Sequence, residues 1–243
     1  MSACSNHSVN ADIAALPDFK DTTMDRLVIT NSRYAGKYTI ATENTIKSIK
    51  NNILKAKGNA EDSLLEPDFI MEFYSGSKKV ATFYYTAKIN DDQVANLKDE
   101  NGKLYHISTN IEQNFMKRIM RSDDREKVPE YYTSLISKLL DKIDTANGDV
   151  VVIDLSKDDS ITKSLTSVEQ KNLLESISAK GISLKFPSEA EQWNYYITIN
   201  TKQYTDKACK GKVTINDVAK NTSTEYSVQG NYESKWEYHL QYK

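Results

Sequence analysis

The chain of 243 residues carries 34 acidic against 32 basic side chains, a net charge of −2, with 39% apolar and 27% charged residues. That length supports one large domain or two small ones, and the near-even charge excludes the strong basic field by which nucleic-acid binders attract phosphate. No stretch approaches the ~18 consecutive apolar residues that a membrane-spanning helix needs.

Residues 1–25 are rich in Ser, Asn, Asp, Thr and Ala and lack a sustained hydrophobic period. They read as a flexible polar tether. Leu27-Val28-Ile29-Thr30 is the first β-branched run and predicts a strand. Thr42 then stands where a helix N-cap belongs. Ile46, Ile49, Ile53 and Leu54 follow on one helical face, and Gly58 suits a C-cap. Asp68–Tyr74 and Lys79–Thr86 flank Ser75-Gly76-Ser77, the pattern of a β-hairpin. Asn101-Gly102 lies between Asn96–Lys98 and Lys103–Ile107. That dipeptide predicts a type I′ turn, in which both central residues take positive φ. Thr109-x-x-Glu112 predicts a capping box whose helix turns Phe115, Met116 and Ile119 inward.

Arg121–Val128 is a charged break that reads as a boundary. Pro129 opens the next helix, with Tyr132, Leu135, Ile136, Leu139, Leu140 and Ile143 as its stripe and Asn147-Gly148 as its stop. Val150–Leu155 predicts a buried strand. Thr166-x-x-Glu169 predicts a second capping box, ahead of Leu173, Leu174 and Ile177. Strands are expected around 194–199, 212–215, 224–228 and 235–240. The last of these alternates Trp236, Tyr238 and Leu240 with polar residues. The fold class that results is α+β, with antiparallel sheets, helices on one face, and two halves of similar plan at 26–122 and 129–243.

Chemistry is sparse. The three His (His7, His106, His239) have no companion at metal-ligand spacing. The eight Gly form no phosphate-cradling or hydrolase-elbow motif. Asp91-Asp92, Asp123-Asp124 and Asp158-Asp159 lack a calcium-loop pattern and read as solvated turns. No cofactor or metal is implied. The 15 Tyr include the doublets 84–85, 131–132 and 195–196, and there are two Trp. Such rings are ordinary β-formers, but exposed ones supply stiff contact area for a partner or a sugar. Trp193 and Trp236 are the candidates for such a binding surface.

Ser2-Ala3-Cys4 resembles the end of a bacterial lipobox, with two small residues before the Cys and Met1 at the place of the usual aliphatic residue. The abundance of Lys over Arg and of Asn is similar to that of Gram-positive, Firmicute-like proteins. The resemblance is to the mature part of a surface lipoprotein whose signal peptide has been cut away. It implies a diacylglyceryl lipid on Cys4, and two acyl chains hold a protein firmly to a bilayer. A polar tether of about 20 residues would then span on the order of 25 Å. The second Cys, Cys209, would be left alone, and a Cys4–Cys209 disulfide is the competing arrangement. The resulting expectation is a non-enzymatic binding or accessory module on the outer face of the cell membrane. It would bind a protein or cell-wall partner and no nucleic acid. The alternative is a cell-wall or glycan hydrolase using paired carboxylates.

Overall fold

A computed structural model describes residues 17–242 apart from 32, 34–36, 59, 120–124 and 178–180. The chain forms two compact units. One takes residues 1–120 together with Thr166–Val168; the other takes residues 121–165 and 169–243. The charged stretch expected at 121–128 begins at that change of unit. Its residues 121–124, with Asp123-Asp124, lie outside the described residues, as does Cys4.

The first unit is built on a seven-stranded sheet in the order β2-β1-β4-β5-β6-β7-β3. Its strands are β1 (Arg26–Asn31), β2 (Lys37–Ile40), β3 (Lys57–Gly58), β4 (Phe69–Ser75), β5 (Lys78–Tyr85), β6 (Leu97–Asp99) and β7 (Leu104–His106). Neighbouring strands are antiparallel throughout. The period of two puts Phe69, Met71 and Phe73 on the same face as their partners Tyr85, Phe83 and Ala81. Helix α2 (Glu43–Leu54) lays Ile46, Ile49 and Ile53 into that core, all fully buried.

Part of the expected tether belongs to this core. Helix α1 (Pro17–Asp21) buries Phe19, whose ring meets Phe73 and Phe83 edge-on at 5.0 Å. Met24 is buried as well. One aromatic in a polar stretch is too little to show a period, yet it fills a gap between two rings. Gly58 is also not a C-cap: α2 stops at Leu54 with Lys55 as its cap, and Gly58 pairs with Tyr105 in the sheet. Thr42 takes the N-cap position but makes no capping hydrogen bond. The helix expected after Thr109 is a 3-10 turn at Ile111–Asn114 followed by the short α3 (Met116–Ile119). Phe115 and Met116 are buried there as expected.

The β6–β7 turn differs from the predicted type. Gly102 has φ +82, while Asn101 is not left-handed. The Gly102 and Lys103 backbones close the turn onto Asp99, whose carboxylate Oδ1 also accepts from the Asn101 and Lys103 N–H groups at 2.9 Å. This is a type I turn followed by a left-handed Gly. The side chain of Asp99 chooses it, because it satisfies two loop donors that a type I′ turn would present differently.

The second unit carries a six-stranded sheet in the order β13-β12-β11-β10-β8-β9. Its strands are β8 (Val150–Asp154), β9 (Ser183–Lys185), β10 (Tyr195–Tyr204), β11 (Ala208–Asp217), β12 (Thr222–Tyr232) and β13 (Trp236–Tyr242). Strands β10 to β13 form an antiparallel meander, whereas β8 pairs parallel with both β9 and β10. A parallel neighbour needs a crossover connection, which α5 (Asp159–Thr162) and α6 (Ser167–Glu175) supply between β8 and β9. Helix α4 (Val128–Leu140) buries Tyr131, Tyr132, Leu135, Ile136 and Leu139 against the sheet. It ends at Leu140, seven positions before the expected Asn147 stop. Both units place helices on mainly antiparallel sheets, so the α+β class holds, but their strand orders differ.

Candidate functional site

The first unit holds a groove of about 620 Å³ beside the ends of β5, β6 and β7, a volume within the range of small-ligand sites. One wall is residues 62–67. Both ends of that segment are tied down. Glu61 donates its N–H to the Gln93 carbonyl and accepts from the Ala95 N–H, each at 2.7 Å. At the far end Asp68 is fully buried. Its Oδ2 accepts the Ala87 N–H at 2.9 Å, and its Oδ1 accepts from Arg33 Nη1 at 2.8 Å and from the Ser167 N–H at 2.9 Å. The Ser167 hydroxyl donates to the Glu66 carbonyl at 2.6 Å. Between these fixed points residues 62–67 run along the surface, exposed or half-buried, as an arch.

The sequence shapes the arch. Asp62 Oδ1 accepts the Leu64 N–H at 3.0 Å, and Ser63 Oγ accepts the Leu65 N–H at 3.3 Å. Such side-chain acceptors favour tight turns over helix or strand. Pro67 biases Glu66 towards extended backbone. Leu64 is left with φ +56 and is 88% exposed. A leucine in the left-handed region is sterically disfavoured, and its exposed isobutyl group adds a hydration cost.

The rest of the groove comes from the sheet. The alternation that sends Tyr85 into the core sends Tyr84 into the groove. Leu65, Pro67 and Leu104 are apolar lining residues, and the Asp99–Gly102 turn contributes to the lining. Among the charged lining residues, Asp62, Glu66, Asp99 and Glu100 stand against Lys98. Asp99 is held by its turn and by the Tyr105 hydroxyl, which donates to Oδ2 at 3.2 Å. Asp62, Glu66 and Glu100 are exposed.

No protein-family model, curated protein or solved structure matches this chain.

The two tryptophans part company. Trp193 is 39% exposed and sets its ring 5.4 Å from that of Tyr196, whose hydroxyl donates to Asp154 Oδ2 at 3.1 Å. Trp236 is only 5% exposed. It lies on the inner face of β13 among Tyr131, Tyr204, Tyr232 and Tyr238. β13 alternates as expected, but its aromatic side packs under α4, so Trp236 offers no free surface. Cys209 is a buried free thiol.

Asp158 also departs from its expected role as a solvated turn residue. It is 1% exposed. Tyr132 Oη donates to Oδ2 at 3.0 Å, Thr201 Oγ1 donates to Oδ2 at 2.6 Å, and the Thr201 N–H donates to Oδ1 at 2.5 Å. Burial pushes its carboxyl above the usual carboxylate range despite these donors. Burial likewise drives the Tyr131 and Tyr132 phenols well above the usual range. These groups are packed together and brace the second unit. His106 is buried with Nδ1 2.7 Å from the Val94 carbonyl, and His239 is exposed. Among the described residues no group of three or more His, Cys, Asp or Glu could hold a metal ion, and no helix is long and apolar enough to cross a membrane.

Leu64 is not among the binding candidates that the sequence marks. The available signal was Leu64-Leu65 inside Glu61–Asp68, an apolar pair between acidic residues with no strand or helix period to bury it.

Proposed function

We propose that this chain is a non-enzymatic binding module of the outer face of the cell membrane, tethered through a lipid on Cys4, and that its ligand lies in the arch groove of the first unit. The observation that carries the binding site is Leu64: an exposed leucine held left-handed at the mouth of a groove by an arch fixed at both ends. Strain of this kind persists only where the surroundings impose it, and it concentrates at ligand clamps. An apolar side chain that is held out and pre-ordered loses little further entropy when a partner covers it. The glycan-hydrolase alternative draws less support from the same groove. Asp99, its buried carboxylate, is occupied in closing a turn.

Backbone-amide NMR of the purified protein with a library of small apolar fragments tests the site. Shifts should cluster on residues 62–67 and 97–104 and should vanish in Leu64→Asp. Shifts clustered elsewhere, or none, would overturn it. The tether is tested separately, by radioactive palmitate labelling of the natively encoded protein. Label should enter the wild type and not Cys4→Ala; label in neither would remove the anchor.

A further inference from the structure

We infer that the arch groove takes an extended peptide segment in which apolar side chains alternate with basic ones. This rests on the reading of the groove as the ligand site and names the class of ligand. Three observations converge on it.

The first is charge. Across the whole chain acids and bases are nearly even, 34 to 32. Among the exposed charged residues that line the groove, three acids, Asp62, Glu66 and Glu100, stand against one base, Lys98. An exposed acidic rim around apolar surface repels acidic partners and favours basic ones, through both encounter rate and register. The second is apolar anchoring. Leu64, Leu65, Pro67, Tyr84 and Leu104 are among the residues that line the groove. A ligand made only of charged or hydroxylic groups would leave them wet. The third is form. Two stretches of chain, residues 62–67 and 95–102, supply most of the lining. A lining made of two stretches of chain suits a linear occupant, whose alternate side chains point to opposite sides. Apolar groups can meet Leu64 and Tyr84 while basic groups meet Asp62, Glu66 and Glu100.

Fluorescence polarisation with three labelled peptides tests the inference: one alternating Lys with Leu, one alternating Glu with Leu, and one alternating Lys with Ser. The Lys/Leu peptide should bind about tenfold more tightly than either other, a gap of about 1.4 kcal/mol, and should weaken as salt screens the rim. Leu64→Asn should cost about tenfold in affinity, since one leucine contact is lost. Asn tolerates the left-handed region, so this variant keeps the arch. Glu66→Lys combined with Glu100→Lys should move the preference to the Glu/Leu peptide. The double variant changes only exposed positions, and its circular dichroism should match that of the wild type.

Equal binding of the Lys/Leu and Glu/Leu peptides would remove the basic class and leave the groove as a binding site. Binding of the Lys/Ser peptide as strong as that of Lys/Leu would also overturn the inference, because the groove would then add nothing to surface charge. If no peptide binds while small fragments still shift the groove amides, the peptide class falls and the module reading stands. If fragments fail too, both fall.

Discussion

Thr201 grips the Asp158 carboxylate with two donors at once, its N–H on Oδ1 at 2.5 Å and its hydroxyl on Oδ2 at 2.6 Å. The Tyr132 hydroxyl adds a third bond, to Oδ2. Together they join the α4 helix, the start of α5 and the middle of β10 within the second unit.

That grip does not offset desolvation, which holds the Asp158 carboxyl above the usual carboxylate range. The folded state therefore holds a proton at pH values where the unfolded chain has already released its own, from about 3.9 upward. Stability falls as pH rises through that window and levels off above the folded-state value. Asp158→Asn removes the titration while keeping the shape. In urea melts from acid to neutral pH, the variant should gain on the wild type as pH rises, then run parallel to it. A difference that stays constant across the whole range would show that folding does not shift this carboxylate.

Much of the fold could be read from the sequence because its causes are local. Val150–Asp154, Tyr195–Ile199 and Phe69–Tyr74 are β-branched or aromatic runs that suit a pleat, and Ile46, Ile49 and Ile53 share one helix face. The strand doublets behaved as period two requires: Tyr85 and Tyr195 are buried, while Tyr84 and Tyr196 reach the other face. What escaped was decided by distant neighbours. Phe19 is a single ring whose partners are Phe73 and Phe83, more than fifty positions away. Asp158 looks like any loop acid until Thr201 and Tyr132 are brought to it. The groove depends on Asp68 gathering Arg33, Ala87 and Ser167, contacts that leave no periodic trace. Trp236 shows the limit of alternation, which sorts residues between two faces but does not say which face is covered.

Gly230 is required by close approach. A Cβ there would lie 2.5 Å from Cys209 Sγ and 2.9 Å from the ring of Tyr238. Both obstacles belong to the same packed cluster, so neither can move freely. Gly230→Ala should lose about 1–3 kcal/mol, the usual cost of overpacking, measured by urea melts. Adding Cys209→Ala should recover part of the loss, because it clears the nearer obstacle and leaves Tyr238. Strict additivity of the two changes would mean the sulfur is not what resists the methyl group.

The arch predicts a separation of stability from binding. Leu64 at φ +56 costs about 1 kcal/mol relative to a residue that suits the left-handed region. Leu64→Asn should therefore raise the thermal midpoint of the first unit even as it weakens ligand binding. A variant that lost both stability and binding would show that Leu64 packs into the fold instead of waiting for a partner. Leu64→Gly removes the same side chain but frees the unfolded backbone, so its gain should be smaller than that of Asn.

Cys209 supplies a test of burial and of the competing disulfide together. Burial pushes its thiol up to about 11, outweighing hydrogen bonds that favour the thiolate. At pH 8 only about a thousandth of it would be the reactive thiolate, against roughly a quarter for an ordinary cysteine. The side chain is also enclosed by Tyr131, Gly230 and Tyr238. In a Cys4→Ser background, iodoacetamide should modify native Cys209 at least ~100-fold more slowly than the urea-unfolded chain. Fast labelling of the folded protein would mean that the α4–β13 cover opens readily. With Cys4 present, thiols titrated in urea without reductant should still include Cys209. Its absence from that titration, and its return on reduction, would place it in a disulfide and leave Cys4 no free sulfur to carry a lipid.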